Sequence, residues 1–194
     1  TAAGVCQMAI VVATVDRDEG SRGIHLFIVE EGTQGFSRGS KDSLMGVRGL
    51  ATGELVFEDC FVPEENRLGP EGEGFKLAMI SLDSGRIGIG SQALGLAQAA
   101  MEEAIRYAKG RVAFGQPIAN FQAIQFMIAD MSMEIEAARL MLRKAAFLRD
   151  QGRPFSRESA EAKLFASEVL GRVVTDALQI HGAYGYSTEF PIER

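Results

Sequence analysis

The chain has 194 residues, of which 46% are hydrophobic and 24% are charged, and its formal net charge is −6. Its Lys and Arg residues are scattered, which argues against a nucleic-acid surface, because such a surface needs a concentrated basic footprint. No apolar run approaches the roughly 18 residues of a membrane-spanning helix, so no membrane span is expected.

The two cysteines, Cys6 and Cys60, both fall in strand-like segments. The chain shows no secretory features, so reduced structural thiols are favoured over a disulfide. With two cysteines and two distant histidines, no metal site is expected.

Up to about Pro63 the sequence predicts β-structure. Residues 6–15 and 24–30 are rich in β-branched and aromatic side chains, and the polar, glycine-containing residues 16–23 between them are typical of a hairpin connection. Residues 52–62 form a further predicted strand, which Pro63 closes. These segments predict an antiparallel sheet or partial barrel that forms part of a β-domain over residues 1–70.

Beyond Gly74 the apolar period changes to that of helices. Residues 75–109 are predicted to be helical, and a third helix is predicted to begin near Ser156 as its N-cap and to stop at Gly182. The second helix carries one apolar stripe over about eight turns. That stripe consists of Phe121, Ile124, Ile128, Met131, Ile135, Ala138, Leu142 and Ala145. Three long helices with short loops predict an antiparallel bundle over residues 71–194, incomplete without a fourth helix, in an α+β fold.

Four glycines interrupt the first long helix, namely Gly85, Gly88, Gly90 and Gly95. Each costs up to about 1 kcal/mol relative to alanine inside a helix, so a reason for them is needed. Close packing against another helix is favoured, and room for a ligand beside the helix is the alternative.

Three segments carry candidate chemistry. Asp83 and Arg86 are three residues apart and share a helix face, in surroundings of small apolar residues. The purely structural interpretation is an ordinary surface ion pair, and for these two residues taken alone it is favoured over a functional role.

The second segment is residues 111–117, followed by Phe121 and Gln122. The planar fork of Arg111 suits a phosphate, and Phe114 could cover an aromatic ring. A helix end with its usual basic residue explains the pattern equally well.

The third segment is residues 179–191, a glycine-punctuated exit from a helix. Such an exit exposes backbone groups that can contact a nucleotide, although it is not a dinucleotide fingerprint of the strand–turn–helix kind. A lone histidine such as His181 near a helix end more often caps or packs than catalyses.

In this order and spacing, the segments resemble the acyl-CoA dehydrogenase family along nearly the whole chain. Residues 57–63 are similar to the strand that leaves the family's middle domain, and residues 72–76 open the first helix as in family members. Residues 111–115 match R-x-x-F-G and residues 179–183 match Q-I-x-G-G, except that Ala183 replaces the second glycine. Residues 82–95 most resemble the short-chain, butyryl-CoA branch.

The resemblance implies a middle β-domain, here partial, and a C-terminal four-helix bundle, here truncated. It also implies FAD held between subunits of a homotetramer, a dimer of dimers. The implied flavin contacts are Arg111, Phe114, Gln122, Gln179, Ile180, His181, Gly182 and Ala183. The implied acyl-CoA contacts are Asp83, Ser84, Gly85 and Arg86.

The family chemistry oxidises an acyl-CoA to a trans-2-enoyl-CoA: a glutamate removes the α-proton and the flavin accepts the β-hydride. In most members this glutamate follows the segment that ends here at Arg194, and in some it occupies the position of Gly85. Glycine cannot act as a base, so the catalytic glutamate is expected beyond Arg194. The resemblance likewise implies that the flavin-pocket strand of the middle domain lies just before Thr1. The chain as given is therefore expected to hold FAD poorly and to be inactive.

The expected function is that of a fragment of a short-chain acyl-CoA dehydrogenase in fatty-acid or amino-acid catabolism, passing electrons to an electron-transferring flavoprotein. The resemblance implies the cytoplasm for a bacterial source and the mitochondrial matrix for a eukaryotic one. The alternative is a non-catalytic helical-bundle module for assembly or acyl-CoA binding on the same scaffold.

Overall fold

Short antiparallel strands precede three long helices in the computed structural model, which describes residues 1–193. By their internal contacts the residues divide into two units, Thr1–Ser81 and Leu82–Arg194. The α+β class predicted from the sequence is confirmed. The predicted domain boundary near residue 70 stays a prediction.

In the first unit, β1 (Met8–Thr14), β2 (Ile24–Glu30) and β5 (Arg67–Leu68) form an antiparallel sheet in the order β1–β2–β5. β1 and β2 pair along their whole length, with Val11 opposite Phe27, which confirms the predicted hairpin. Both cysteine thiols are free.

The second pairing of this unit joins β3 (Phe36–Lys41) to β4 (Gly53–Phe57). β4 is shorter than the predicted strand 52–62, because the chain turns at Asp59, where φ is +46°. β3 was missed because its polar sequence FSRGSK has no strand-like pattern. Its pairing with β4 holds it, together with the stacked rings of Phe36 and Phe57, whose centroids are 5.1 Å apart.

The helices are α1 (Gly74–Gly110), α2 (Gln122–Asp150) and α3 (Ser156–His181). A two-stranded hairpin, β6 (Val112–Ala113) and β7 (Gln116–Pro117), separates α1 from α2. All three predicted helices are confirmed. In the described part of the chain, no helix has both the length and the apolar character needed to cross a membrane.

The core of the second unit lies between the three helices and is rich in alanine. The fully buried alanines are Ala97, Ala104, Ala108, Ala138, Ala145, Ala162, Ala166 and Ala177. Larger side chains such as Met131, Ile135, Val169 and Val173 fill the space between them. Small residues at facing positions let the helix backbones approach closely, because packing density inside a protein leaves little room for voids.

The two ends of α3 differ in how well the sequence predicted them. The helix stops at Gly182 as predicted, with φ +58° at that residue. The prediction that Ser156 is the N-cap is wrong: Ser156 is the first helical residue and Phe155 precedes it as the cap. The Ser156 hydroxyl instead donates a hydrogen bond to the carboxylate of Asp83 on α1.

The glycines of α1 do not share one explanation. A Cβ on Gly90 would lie 2.7 Å from Cδ2 of Leu142 and 3.4 Å from Cα of Lys163, so close packing explains this glycine. A Cβ on Gly85, Gly88 or Gly95 would meet no atom within 4 Å among the described residues. Packing within the described chain therefore does not explain those three.

We expect Gly90→Ala to lower the free energy of unfolding by about 1–3 kcal/mol, because the added methyl overpacks the contact with α2 and α3. Gly95→Ala is the matched control on the same helix and should raise it by about 0.5–1 kcal/mol through helix propensity alone. Urea titration of both variants measures the difference. Equal gains in stability would contradict the close approach at Gly90.

Candidate functional site

The tip of the β6–β7 hairpin presents an aromatic ring to solvent. Phe114 is 95% exposed and has φ +53°, and Gly115 has φ +82°. Two consecutive positive φ values are those of a two-residue type I′ hairpin turn, whose twist matches the flanking strands. A large side chain in this conformation costs of order 1–3 kcal/mol, and such strain is concentrated at functional sites.

Arg111 and Gln122 flank this hairpin. Arg111 follows the last residue of α1, and Gln122 is the first residue of α2. Both side chains are exposed. The Phe114 ring packs edge-on against Phe121, with 6.2 Å between centroids. The structure thus gathers the second candidate segment at one end of the bundle.

The end of α3 divides the third candidate segment into exposed and buried residues. Gln179, Gly182 and Ala183 are exposed, whereas Ile180 and His181 are buried at 4% and 2% exposure. The chain then continues as a 3₁₀ turn over Gly182–Tyr186. Side chains at positions 180 and 181 face the protein interior, so a ligand on this surface can contact only their backbone atoms.

An aromatic cluster fixes this exit. The His181 ring stacks on Tyr107 with 4.3 Å between centroids, and Phe190 packs edge-on against both rings. Nδ1 of His181 lies 2.8 Å from the carbonyl oxygen of Ala177, so Nδ1 carries the proton and donates this hydrogen bond. Nε2 is buried with no hydrogen-bond partner in the described residues.

The cluster brings the second and third candidate segments together. The Arg111 guanidinium lies 5.8 Å from the centre of the Tyr184 ring, within cation–π range. The surface here is a groove of about 420 Å³. It is lined by Glu103, Arg106, Tyr107, Gly110, Arg111, Tyr184 and Phe190. Tyr184 and Phe190 lie within the third candidate segment, although no role was predicted for them. Tyr107 was not predicted, although it lies in the last turn of α1 and its carbonyl oxygen accepts a hydrogen bond from the Arg111 amide at 2.8 Å.

The first candidate segment lies elsewhere on α1. Asp83 precedes Arg111 by 28 residues, which is about 40 Å along a helix. The carboxylate of Asp83 is engaged at both oxygens, by Arg86 and by the Ser156 hydroxyl. Asp83 is half-buried, so the pair is more than the ordinary surface ion pair considered from the sequence. Ser84 is half-buried and Gly85 is exposed.

The groove has features that fit a flavin nucleotide. Arg111 supplies a cation for phosphate, and the Tyr184 ring supplies a flat apolar surface. The exposed Phe114 ring at the tip of the neighbouring hairpin offers a second such surface outside the groove. No described atom lies within 4 Å of the position that a Cβ on Gly182 would occupy, so a ligand can approach this backbone. The described residues hold no group of three or more His, Cys, Asp or Glu side chains placed to bind a metal ion. Arg157, whose pKa is raised mainly by a hydrogen bond to Glu161, lies outside this surface.

Comparison with known protein families decides the assignment. The model of the acyl-CoA dehydrogenase middle domain matches residues 1–60, and the model of the acyl-CoA dehydrogenase C-terminal domain matches residues 72–194. The chain belongs to the acyl-CoA dehydrogenase family. The resemblance inferred from the sequence is confirmed.

Several curated relatives are about half identical to the chain. The short-chain specific acyl-CoA dehydrogenase of Megasphaera elsdenii is 51% identical over the whole chain and 51% of its own length. The mitochondrial short-chain enzyme of Rattus norvegicus is 49% identical over 95% of the chain and 45% of its own length. Subunit CarC of the caffeyl-CoA reductase-Etf complex of Acetobacterium woodii is 47% identical over the whole chain and 51% of its own length. The chain thus spans about half the length of the curated relatives it matches.

Solved structures agree with this fold. Butyryl-CoA dehydrogenase from Megasphaera elsdenii is 51% identical, with a TM-score of 0.98 over the whole chain and 51% of that protein. The FAD complex of PigA is 30% identical, with a TM-score of 0.94 over 99% of the chain and 50% of that protein. The family's C-terminal helical domain therefore corresponds to the helices described above.

We expect the stacked ring of His181, and not its nitrogen atoms, to hold the exit of α3. His181→Ala should lower the free energy of unfolding by about 3 kcal/mol through the cavity it leaves beside Tyr107. His181→Phe keeps an aromatic ring and removes the unpartnered Nε2, so its effect should stay within about 1.5 kcal/mol. Urea titration compares the variants, and an equal loss in both would show that the hydrogen bond to Ala177 dominates.

Proposed function

We propose that this chain is part of an FAD-dependent acyl-CoA dehydrogenase that oxidises short-chain acyl-CoA to trans-2-enoyl-CoA. The family and the identity of 51% to a short-chain enzyme support the reaction class. The observation that carries the proposal is the meeting of Arg111 with the exit of α3 at an open groove, because it unites two separate sequence motifs on one surface.

The proposed flavin contacts are those that the sequence indicated. Arg111 binds phosphate with parallel hydrogen bonds, Phe114 covers an aromatic ring, and Gln122 donates from the start of α2. Gln179, Gly182 and Ala183 offer exposed groups at the exit of α3, with Ile180 and His181 contributing backbone atoms only. When bound, FAD supplies the acceptor for a hydride from the acyl chain.

The proposed acyl-CoA contacts lie around Asp83 on α1. Asp83 positions Arg86 and the first turn of α3 through the two bonds of its carboxylate. Ser84 and the open side of Gly85 leave room for an acyl chain against the helix. The catalytic base is proposed to be a glutamate on a loop that follows Arg194 and thus lies outside the described residues. The residues described here bind and orient, and the proton is removed by a group beyond them.

Several properties of the whole protein follow as proposals from the family. Residues 1–70 would belong to the middle β-domain and residues 71–194 to the C-terminal bundle, close to the matched ranges 1–60 and 72–194. The assembly would be a homotetramer, in which the groove at Arg111 serves a flavin held mainly by a neighbouring subunit. The relative named as part of an Etf complex favours an electron-transferring flavoprotein as partner. Bacterial and mitochondrial relatives support a location in the cytoplasm for a bacterial source and in the mitochondrial matrix for a eukaryotic one.

A second candidate function is the reverse reaction. The relative from Acetobacterium woodii is named as a reductase of an unsaturated acyl-CoA and is 47% identical. Reduction of an enoyl-CoA needs the same binding surfaces, with hydride and proton moving in the opposite direction. A non-catalytic bundle module is the third possibility considered from the sequence.

The flavin spectrum distinguishes these candidates. We expect the complete reading frame to bind FAD and to lose its flavin absorbance when butyryl-CoA is added. Longer acyl chains should react more slowly, since one methylene changes recognition by about 1–3 kcal/mol. Reoxidation by crotonyl-CoA in preference to bleaching by butyryl-CoA would favour the reductase, and no response to either would favour the module. The 194-residue chain alone should show neither FAD retention nor turnover.

Arg111→Lys tests the flavin contact in the complete protein. Lysine keeps the charge but loses the two parallel hydrogen bonds, so the Kd for FAD should rise about tenfold. Arg106→Lys is the matched control, because Arg106 lines the same groove while its guanidinium pairs with Glu103. Equilibrium dialysis measures both values. An unchanged Kd in Arg111→Lys would remove Arg111 from the flavin site.

A further inference from the structure

The start of α3 departs from the usual pattern of a helix N-terminus. Ser156 is the first residue of this 26-residue helix, and the cap residue Phe155 makes no side-chain hydrogen bond to it. Most helices begin with a side chain that binds their free backbone N–H groups. The Ser156 hydroxyl instead donates to Oδ2 of Asp83 on α1. Departures from a local sequence preference are expected where a residue serves function.

Contacts within the bundle support the backbone of this first turn. The hydroxyl of Ser159, a residue with 0% exposure, donates a hydrogen bond of 3.0 Å to the carbonyl oxygen of Ser156. The carboxylate of Glu158 lies 3.7 Å from Nζ of Lys144, which attaches the same turn to α2. The Ser156 hydroxyl is therefore presented to α1 from a backbone that is supported by its own helix and by α2.

The carboxylate of Asp83 connects Ser156 to Arg86. Its Oδ2 accepts a hydrogen bond from Ser156, and its Oδ1 accepts one from Nη1 of Arg86. The Asp83 side chain is 14% exposed, so little water can replace either partner. The Arg86 side chain is 38% exposed, and a guanidinium has further N–H donors for a ligand. Because both oxygens of Asp83 are engaged, the loss of one partner changes how firmly the other is held.

Arg86 lies between the closed side and the open side of α1. Successive residues of a helix are about 100° apart, so Arg86 is about 60° from Asp83 and about 100° from Gly85, between the two. Asp83 faces α3, whereas a Cβ on Gly85 or Gly88 would meet no described atom within 4 Å. The guanidinium of Arg86 therefore borders the open surface on which an acyl chain has room.

We propose that Ser156 is a positioning residue for the acyl-CoA site. Its hydroxyl holds the carboxylate of Asp83, and that carboxylate holds the guanidinium of Arg86 at the border of the open surface. Ser156 acts on the substrate only through Asp83. The proposal rests on the acyl-CoA contacts proposed above, and it adds a residue of α3 that sets their orientation.

A purely structural role for the same hydrogen bond leads to a different expectation. If the bond only fastened α3 to α1, its loss would loosen α3 as a whole, including the proposed flavin contacts at the other end of the helix. Gln179 follows Ser156 by 23 residues, which is about 35 Å along α3. A positioning role confines the effect to acyl-CoA and leaves the binding of FAD unchanged.

Steady-state kinetics of the complete protein with butyryl-CoA test the proposal. Ser156→Ala should raise the KM about fivefold and change kcat less than about twofold, because the hydroxyl orients a binding group and takes no part in the chemical step. Ser156→Thr keeps a hydroxyl group and should bring the KM back to within about twofold of the unsubstituted protein. Ser167→Ala is the matched control, since the Ser167 hydroxyl bonds to the carbonyl oxygen of Leu164 in its own helix. The Kd for FAD should stay the same in all three variants.

A double-mutant cycle tests whether Ser156 acts through Asp83. In an Asp83→Ala background, Ser156→Ala should have no further effect on the KM. An equal rise in both backgrounds, or an unchanged KM in Ser156→Ala, would overturn the proposal. A Kd for FAD that rises together with the KM, or a Ser156→Thr variant that behaves like Ser156→Ala, would show a structural role instead. An unsubstituted protein that does not react with butyryl-CoA would overturn the proposed function itself, and the positioning role with it.

Discussion

Close contact between the three helices is the constraint on which the candidate site depends. Alanines at facing positions, together with Gly90 against Leu142, let the backbones lie close, and larger side chains such as Met131 and Val173 fill the remaining space. Polar contacts join the helices at several levels along their length: Asp83 with Ser156, Gln98 with Arg139, Glu134 with Arg172, and Lys144 with Glu158. The shared core and these contacts bring the end of α1 next to the end of α3, where Tyr107 stacks on His181.

An aromatic cluster lies where the ends of α1 and α3 meet, and it forms one wall of the candidate site. Tyr107 belongs to α1, His181 to α3, and Tyr184 and Phe190 to the turns that follow α3. The Tyr107 and His181 rings stack, Tyr184 and Phe190 pack against them at steep angles, and the guanidinium of Arg111 lies over the Tyr184 ring. The exposed strip from Arg111 to Gly182 is therefore held by a rigid interior, which is the condition for a surface that must hold a ligand in one orientation.

The sequence predicted what is determined by local pattern and missed what is determined by contact between distant residues. The three helices, the hairpin of residues 6–30 and the glycine stop at position 182 follow from periodicity and backbone preference. Strand β3 was missed because only its partner β4 holds it. Ser156 was predicted to be the N-cap because serine caps helices well. In the structure its hydroxyl instead donates a hydrogen bond to Asp83, which is 73 residues away in sequence.

The candidate site shows the same division. Arg111, Phe114 and the segment 179–183 were found because their residue types and spacing form motifs. Tyr107 belongs to no motif, and only the stacking with His181 reveals it. The clustered glycines of α1 were interpreted together because they are neighbours in sequence. In the structure, a Cβ added at Gly90 would lie 2.7 Å from Leu142, whereas a Cβ added at any of the other three would meet no described atom within 4 Å.

Helix α2 shows why one amphipathic pattern can conceal a second. The apolar stripe predicted for α2 follows steps of three and four residues, and its buried side chains account for the packing of the bundle. A prediction that looks for one helical face therefore finds only this stripe. A second line of apolar side chains repeats every seven residues on the opposite side of α2, and it is visible only once burial separates the two lines; it consists of Phe126, Met133, Leu140 and Phe147. These four side chains are exposed within a chain that spans about half the length of its curated relatives, so the heptad spacing shows that they share a helix face and does not show what covers it.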